Sequence, residues 1–325
     1  MDWKAASIIG FTLIIGIALG ASLDLVRSPL LGKDYAFQVR LGEGTFTNPL
    51  LECEVALGTL NAQKVNFKPA LNGFIEDEIE SRPEITEVAV QFRDLNNGPT
   101  FGYKNEDPFI PASLLKVPVL MTFFKHAEDN PDILAQRVTF SVDKQISVSQ
   151  AITPQTSLIV GESYSVSELL NRMITESDNQ ALVLLWDLLP DSEYRELHRL
   201  LGVSEDVLFS QTAALSVKEY GAFFRILYNA SFLSRTFSEE ALRLLSETSF
   251  RGGLREGIPN DIPVSHKFGE RSFEDGVEQF HDCGIVYYAP RPYMLCVMTR
   301  GKDFSALERS VVEIASFVHQ QVITL

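Results

Sequence analysis

The sequence predicts an α/β domain in which helices flank an antiparallel five-stranded sheet and a large all-helical insertion splits it. Three observations predict this. The period-two stretch EVAVQFRDLNNGPTFGY breaks at Asn97-Gly98 and resumes, the signature of a β-hairpin. From 112 to about 248 the periodicity is helical, with stop signals between segments. After Gly252 period two returns in PVSHKFGE, HDCGIVYY and YMLCVMTRG, and an amphipathic helix over 305–322 closes the chain. Strands on both sides of a helical block form one sheet when the block is an insertion.

In chain order, residues 5–23 (AASIIGFTLIIGIALGASL) carry no charge, and as a helix they would span roughly 28 Å, one bilayer core. The run is longer than the apolar part of a secretory signal, so an uncleaved membrane anchor is expected. Ala18 and Gly20 leave a cleavage site open, which would make the domain secreted. Lys4 on one side and Arg27 and Lys33 on the other give the positive-inside rule little to decide. Residues 24–70 have poor periodicity and the loop signal GEGTFTNP. They read as an extracytoplasmic spacer, with a helix near 69–80. Residues 71–325 form the domain, its α/β part at 71–110 and 255–325 and its helical part at 111–254.

Within the helical part, residues 114–127 form one helix, stopped by Asn130-Pro131, with Lys125 and His126 suited to its C-terminal dipole. SVSE (165–168) and SVKE (216–219) are capping boxes. QALVLLWDLL stops at Pro190, EYRELHRLL is closed by Gly202, and Ser238 is the expected cap of SEEALRLLSE.

The formal charge of −15 argues against nucleic acid or anionic lipid as a partner. Cys53, Cys283 and Cys296 match no zinc spacing and the five histidines form no ligand pair, so no metal and no cofactor are expected. A late hairpin turning about Ala289-Pro290 would set Cys283 opposite Cys296, either as a cross-strand disulfide or as two buried thiols. The strain of bridging neighbouring strands favours the thiols.

PASLLKVPV (111–119) places Lys116 in an apolar run, three residues after Ser113. Spaced so on a helix, the two side chains share a face. A serine needs a base to become a nucleophile, apolar surroundings lower a lysine pKa, and the helix N-terminus favours developing negative charge. Singly, Ser113 reads as an N-cap and Lys116 as a snorkelling side chain. A second such pair, Ser141 and Lys144, lies among charged residues and reads as solvated surface. Company distinguishes the first pair. Ser177-Asp178-Asn179 follows a capped helix, and that tripeptide has a chance expectation of roughly 0.05 in this length. Lys267-Phe268-Gly269 then lies on the first late strand.

S-x-x-K, S-D-N and K-x-G in that order resemble the motif set of class A β-lactamases and penicillin-binding proteins, from about residue 70 to the end. The resemblance implies an active-site-serine hydrolase, outside the cytoplasm, that acts on a small-molecule β-lactam or a peptidoglycan stem peptide. Ser113 would be the acylated nucleophile, Lys116 its base or proton relay, and Ser177 the proton shuttle to the leaving nitrogen. Asn179 would hold the substrate amide and Lys116. Lys267 would attract the substrate carboxylate and tune Ser177. The oxyanion hole would combine the Ser113 N–H with one from the late strand, two to four residues beyond Lys267. His266, next to Lys267, alternates to the other strand face and reads as packing or surface.

The sequence also departs from the pattern. No E-x-x-L-N run, whose glutamate activates the deacylating water in class A enzymes, lies between Asn179 and Lys267. Glu205-Asp-Val-Leu208 is a partial match followed by Phe209. Phe268 stands where threonine supplies a hydroxyl to the substrate carboxylate, and CGIVYY has no arginine, leaving Arg271 as a possible substitute. The expected function is β-lactam hydrolysis through an acyl-enzyme on Ser113, and the departures speak against rapid deacylation and the usual carboxylate recognition. The alternatives are a D-alanyl-D-alanine carboxypeptidase or transpeptidase, which needs no such glutamate, and a non-hydrolytic sensor.

Overall fold

A computed structural model describes residues 44–48, 66–96, 99–145, 150–210, 212–289 and 291–324. All of them fall in one compact unit, 40–53 plus 62–325. The expected membrane segment at 5–23, Cys53, and the turn residues Asn97 and Gly98 lie outside the described residues. Among the described residues no helix is long and apolar enough to cross a membrane.

Helix α1 (Lys68–Phe74) opens with Pro69 in its first turn, where a missing N–H is harmless, and runs on as a π turn, Ile75–Ile79. Leu71, Ile75 and Ile79, four apart, bury one stripe. Strands β1 (Ile85–Asp94) and β2 (Thr100–Tyr103) make the expected hairpin. A 3₁₀ turn at Ala112–Leu115 leads into α2 (Lys116–Asp129). The short strands β3 (Arg137–Thr139) and β4 (Ser163–Ser165) pair with each other. The helical block continues with α3 (Val166–Thr175), α4 (Asn179–Trp186), α5 (Asp191–Leu201), α6 (Asp206–Phe209), α7 (Val217–Tyr228) and α8 (Arg235–Ser246). Strands β5 (Val264–Ser272), β6 (Glu278–Val286) and β7 (Tyr293–Gly301) and helix α9 (Phe304–Ile323) complete the chain.

The five long strands form one antiparallel sheet in the order β2-β1-β7-β6-β5. Both faces are covered, which explains why β7 reads as a continuous apolar run. Its Met294, Cys296 and Met298 join the core of the helical block, while Tyr293, Leu295 and Val297 join a second core under α1 and α9. Residues 44–48, inside the stretch that reads as a spacer, dock on α8. The N–H groups of Thr45, Phe46 and Thr47 all donate to the Glu239 carboxylate, and the Phe46 ring meets Tyr287 edge-on at 5.2 Å.

Self-contained local signals form as the sequence predicts. Both capping boxes form, Ser165 with Glu168 and Ser216 with Glu219, and Gly202 closes α5 at φ +68°. The cap of α8 is a correction. Ser234 accepts from the Phe237 N–H, while Ser238 is buried one turn further in. Arg235-Thr236-Phe237 forms the first turn, a turn earlier than the apolar pattern indicates.

The redox state of the late hairpin is a second correction. Cys283 and Cys296 face each other in register, as expected, but they are joined as a disulfide instead of standing as thiols. Direct register pairing sets the two Cα atoms 3.9 Å apart, which brings the sulfurs within bonding reach. Reducing the denatured protein should therefore expose two more thiols than denaturation alone. Closing a loop of 13 residues contributes about 3 kcal/mol to stability, so Cys283→Ser should lower it by that order. An unchanged thiol count on reduction would sink the assignment.

Candidate active site

The site is assembled where three parts of the chain meet: the start of α2, the turn before α4, and β5. The first part is strained. Ala112 has φ +49°, a left-handed conformation that costs a residue with a Cβ about 1–2 kcal/mol. It turns the chain so that Ser113 enters the 3₁₀ turn and Lys116 begins α2. The buried Tyr220 hydroxyl donates to the Leu114 carbonyl at 2.9 Å and fixes this turn from α7. His281 supports it from β6. Its Nε2 donates to the Ile110 carbonyl at 3.1 Å while its Nδ1 accepts the Thr299 N–H at 3.3 Å. Burial drives the His281 pKa down to about 4, which keeps that single tautomer neutral.

The second part is Ser177-Asp178-Asn179. Ser177 is fully buried at φ +55°. Asp178 caps α4 by accepting from the N–H groups of Gln180 and Ala181, and it pairs with Arg172 at 3.1 Å. The cap sets Asn179 at the first position of α4 and leaves the Ser177 carbonyl and hydroxyl facing Lys116.

Lys116 is 1% exposed. Its Nζ lies 3.0 Å from Ser113 Oγ, 3.1 Å from Ser177 Oγ, 2.7 Å from the Ser177 carbonyl and 2.6 Å from Asn179 Oδ1. The carbonyl and the amide oxygen can only accept, so they take two N–H bonds. A neutral amine then has a lone pair left for a hydroxyl proton. The Lys116 pKa is held well below the usual lysine value, first by burial and then by the Lys267 charge, against the pull of Asp178 and Glu270.

The third part is β5. Gly269 packs against the Ser113 turn, where a Cβ would come 2.8 Å from the Pro111 carbonyl oxygen, so only glycine lets the strand approach. Lys267 is fully buried, and its Nζ donates to the Phe268 carbonyl at 3.1 Å. It makes no hydrogen bond to Ser177 among the described residues. His266 is buried on the opposite face, where its Nδ1 donates to Asp282 at 2.9 Å, so it belongs to the interior and not the surface.

Burial pushes the Lys267 pKa down to about 7, with Asp282 and Glu270 opposing. Unfolded, the same lysine titrates near 10.4. Between those values the unfolded chain binds more protons, so stability rises with pH across the window and the penalty is complete below about pH 7. Lys267→Met should accordingly stabilise the fold by roughly 3 kcal/mol at about pH 6 and by much less near pH 10. Urea melts of both proteins at the two pH values check this, and a gap that widens with pH would contradict it.

A pocket of about 150 Å³ opens beside Ser113 and Lys116. Asn179 lines its polar end, and Leu115, Val119, Trp186 and Leu208 line the rest. Of the residues predicted from sequence, Ser113, Lys116, Ser177 and Asn179 form one hydrogen-bonded cluster, Gly269 touches it, and Lys267 reaches it through its charge.

A family model described as the beta-lactamase enzyme family matches residues 70–322. The chain belongs to that family. As a member of the beta-lactamase enzyme family it is a serine hydrolase. Among curated proteins, none has a sequence that matches it. Solved structures share its fold. A beta-lactamase from Xanthomonas campestris is 20% identical, covering 79% of this chain and 99% of that one, with a TM-score of 0.68. A class A beta-lactamase from Mycobacterium abscessus is 18% identical, with coverage of 78% and 98% and a TM-score of 0.65. A PBP-A variant, solved as an acyl-enzyme complex with penicillin G, is 20% identical, with coverage of 79% and 98% and a TM-score of 0.66.

In this beta-lactamase-family chain the sequence departures have structural counterparts. Glu205 is held by Arg195 at 3.0 Å, and it is Leu208 on α6 that lines the pocket. The Phe268 ring is buried against Phe250, with centroids 4.4 Å apart. Arg271 lies 5.2 Å over the ring of Phe273. Tyr220, His281 and Asp178 were missed as supports of the site. Asp178 carried a signal, since a D-N pair ahead of an apolar run is a cap. Tyr220 and His281 carried none, because their partners lie far away in sequence.

Proposed function

We propose that this protein forms an acyl-enzyme on Ser113 with β-lactams or related acyl donors. The observation that carries the reading is the buried Lys116 amine, 3.0 Å from Ser113 Oγ and 3.1 Å from Ser177 Oγ, with two N–H groups taken by the Ser177 carbonyl and Asn179 Oδ1. Ser113 Oγ would attack the carbonyl and pass its proton to Lys116 Nζ. The C–N bond then breaks, and Ser177 Oγ relays a proton from Lys116 to the leaving nitrogen. Asn179 would hold the acyl amide, and Lys267 and the Gly269 segment would line the other side. In a β-lactam the leaving nitrogen stays tethered, so the adduct carries the mass of the whole probe.

Intact-mass spectrometry over time tests this. Penicillin should add one equivalent to the protein and none to Ser113→Ala. If neither penicillin nor a D-alanyl-D-alanine peptide modifies the protein or turns over, a non-hydrolytic binding role is left.

A second reading, a D-alanyl-D-alanine carboxypeptidase or transpeptidase, is favoured by one observation. No carboxylate lines the pocket beside Ser113 among the described residues, and a peptidase of this type needs none there. Release of D-alanine from a muropeptide would decide for it. For location, we propose a catalytic domain outside the cytoplasm, anchored by residues 5–23 or secreted if they are cleaved. The uncharged run 5–23 and the Cys283–Cys296 disulfide, a bond that persists in oxidising compartments, support this.

A further inference from the structure

Glu270 has no place in the mechanism above, yet it is the next residue along β5 from Gly269, which abuts the Ser113 turn. β5 is the edge strand, and Glu270 shares a strand face with Phe268, opposite Lys267 and Gly269. The Glu270 Oε1 accepts the Ile152 N–H at 2.9 Å, and the Ala151 N–H also bonds this carboxylate. The same short segment reaches the other wall, where Gln150 Nε2 lies 3.5 Å from the Ser177 carbonyl that Lys116 also binds. Residues 150–152 therefore run from Ser177 to β5, and Glu270 is the post that holds their far end.

The charge of Glu270 matters as much as its bonds. Burial raises the Glu270 pKa, and the Ile152 and Ala151 N–H groups, then the Lys116 and Lys267 charges, act against that rise in favour of the carboxylate. The other carboxylates near the lysines are occupied: Asp178 by Arg172 and the α4 N-terminus, and Asp282 by His266 and the Leu254 N–H. Burial raises the Glu308 pKa, and Glu256, Asp282 and Glu270 push the same way, so the surroundings of β5 are acidic. The aromatic ring of Phe268 offers an anion no hydroxyl, and the Arg271 guanidinium lies over Phe273.

We infer that Glu270 sets the charge selectivity of the site: clamped onto residues 151–152 next to Gly269, it joins Asp282 in offsetting the Lys267 charge and disfavours acyl donors that carry a carboxylate next to the scissile bond. The preferred substrates are neutral there, as in an ester, thioester or esterified lactam, and the aliphatic wall of Leu115, Val119 and Leu208 suits an apolar acyl group. The inference rests on Ser113 being acylated as proposed. The chemistry is unchanged: the Ser113 Oγ–carbonyl bond forms, the bond to the leaving group breaks, and the serine proton ends on the leaving atom.

Penicillin G and its methyl ester differ in that one charge. The rate of Ser113 acylation, read by intact mass, should be at least about tenfold faster with the ester in the native protein. Glu270→Gln keeps an acceptor for the Ile152 N–H and removes the charge. It should raise the penicillin rate about tenfold and leave the ester rate within about threefold. A measurement on the native protein needs no variant. Raising the salt from about 0.05 to about 0.5 M should speed the anion and spare the ester, because salt screens repulsion. A native preference for the anion, a penicillin rate that falls with salt, or equal effects of Glu270→Gln on both probes overturns the inference. Absence of any adduct with both probes overturns the role of Ser113 first, and this inference with it.

Discussion

Lys116→Met should slow acylation of Ser113 about a thousandfold. General-base assistance contributes typically 10²–10⁴-fold, and Lys116 is the basic group within hydrogen-bond reach of Ser113 Oγ in the described site. Lys116→Arg should be no better than Met. A guanidinium stays protonated at any working pH, so it can donate to the Ser177 carbonyl and Asn179 yet accept nothing from Ser113. The pair of variants separates charge from basicity. If Arg restored the rate to within about tenfold of the native protein, Lys116 would be acting as a positive charge and not as a base. Stopped mixing with a chromogenic cephalosporin, with adduct formation by mass as the second readout, gives both numbers.

The acyl-enzyme itself should persist. Removing the base from a hydrolytic step slows it by the same typical 10²–10⁴-fold. Among the described residues no carboxylate lines the pocket beside Ser113, and that of Glu270 is taken by the Ile152 N–H. Glu205 is bound to Arg195, whose guanidinium lies 4.0 Å over the ring of Phe209, while Leu208 fills the wall facing Ser113. Glu205→Gln should leave the lifetime of the adduct within about twofold. Leu208→Glu brings a carboxylate to that wall and should shorten the lifetime at least about tenfold. A native adduct that vanishes within one turnover, and survives in Glu205→Gln, would restore Glu205 to the chemistry.

What the sequence made legible follows a physical rule. Ser165, Ser216 and Gly202 act on N–H and C=O groups within their own turn, so four residues suffice to read them. The Ser113–Lys116 pair is also local, but its meaning needed Ser177-Asp178-Asn179 and Lys267-Phe268-Gly269, short words that each carry their own chemistry. The register of Cys283 and Cys296 was legible from the hairpin, and whether the sulfurs join was not, because alternation fixes facing and not bonding. Ser238 was misread because a cap is decided by where the backbone first turns, and the apolar stripe of α8 begins a turn later. Glu270 was invisible as a functional group. Its partner Ile152 is 118 residues away, and nothing in the pattern GERS marks a carboxylate that folds back over a distant loop.

The two walls of the site also differ in how they would open. Lys267 lies on the edge strand, but in one rung across the sheet with Cys283, Cys296 and Gln91, and the β6–β7 step of that rung is tied by the Cys283–Cys296 bond. Amide protons on that rung should be among the last to exchange with solvent, requiring global unfolding. The wall formed by residues 150–152 is secured to β5 by one carboxylate, and its amides should exchange through small local openings. The active site thus straddles a boundary between cooperative units: one half is as durable as the whole protein, and the other is released by a single side chain letting go.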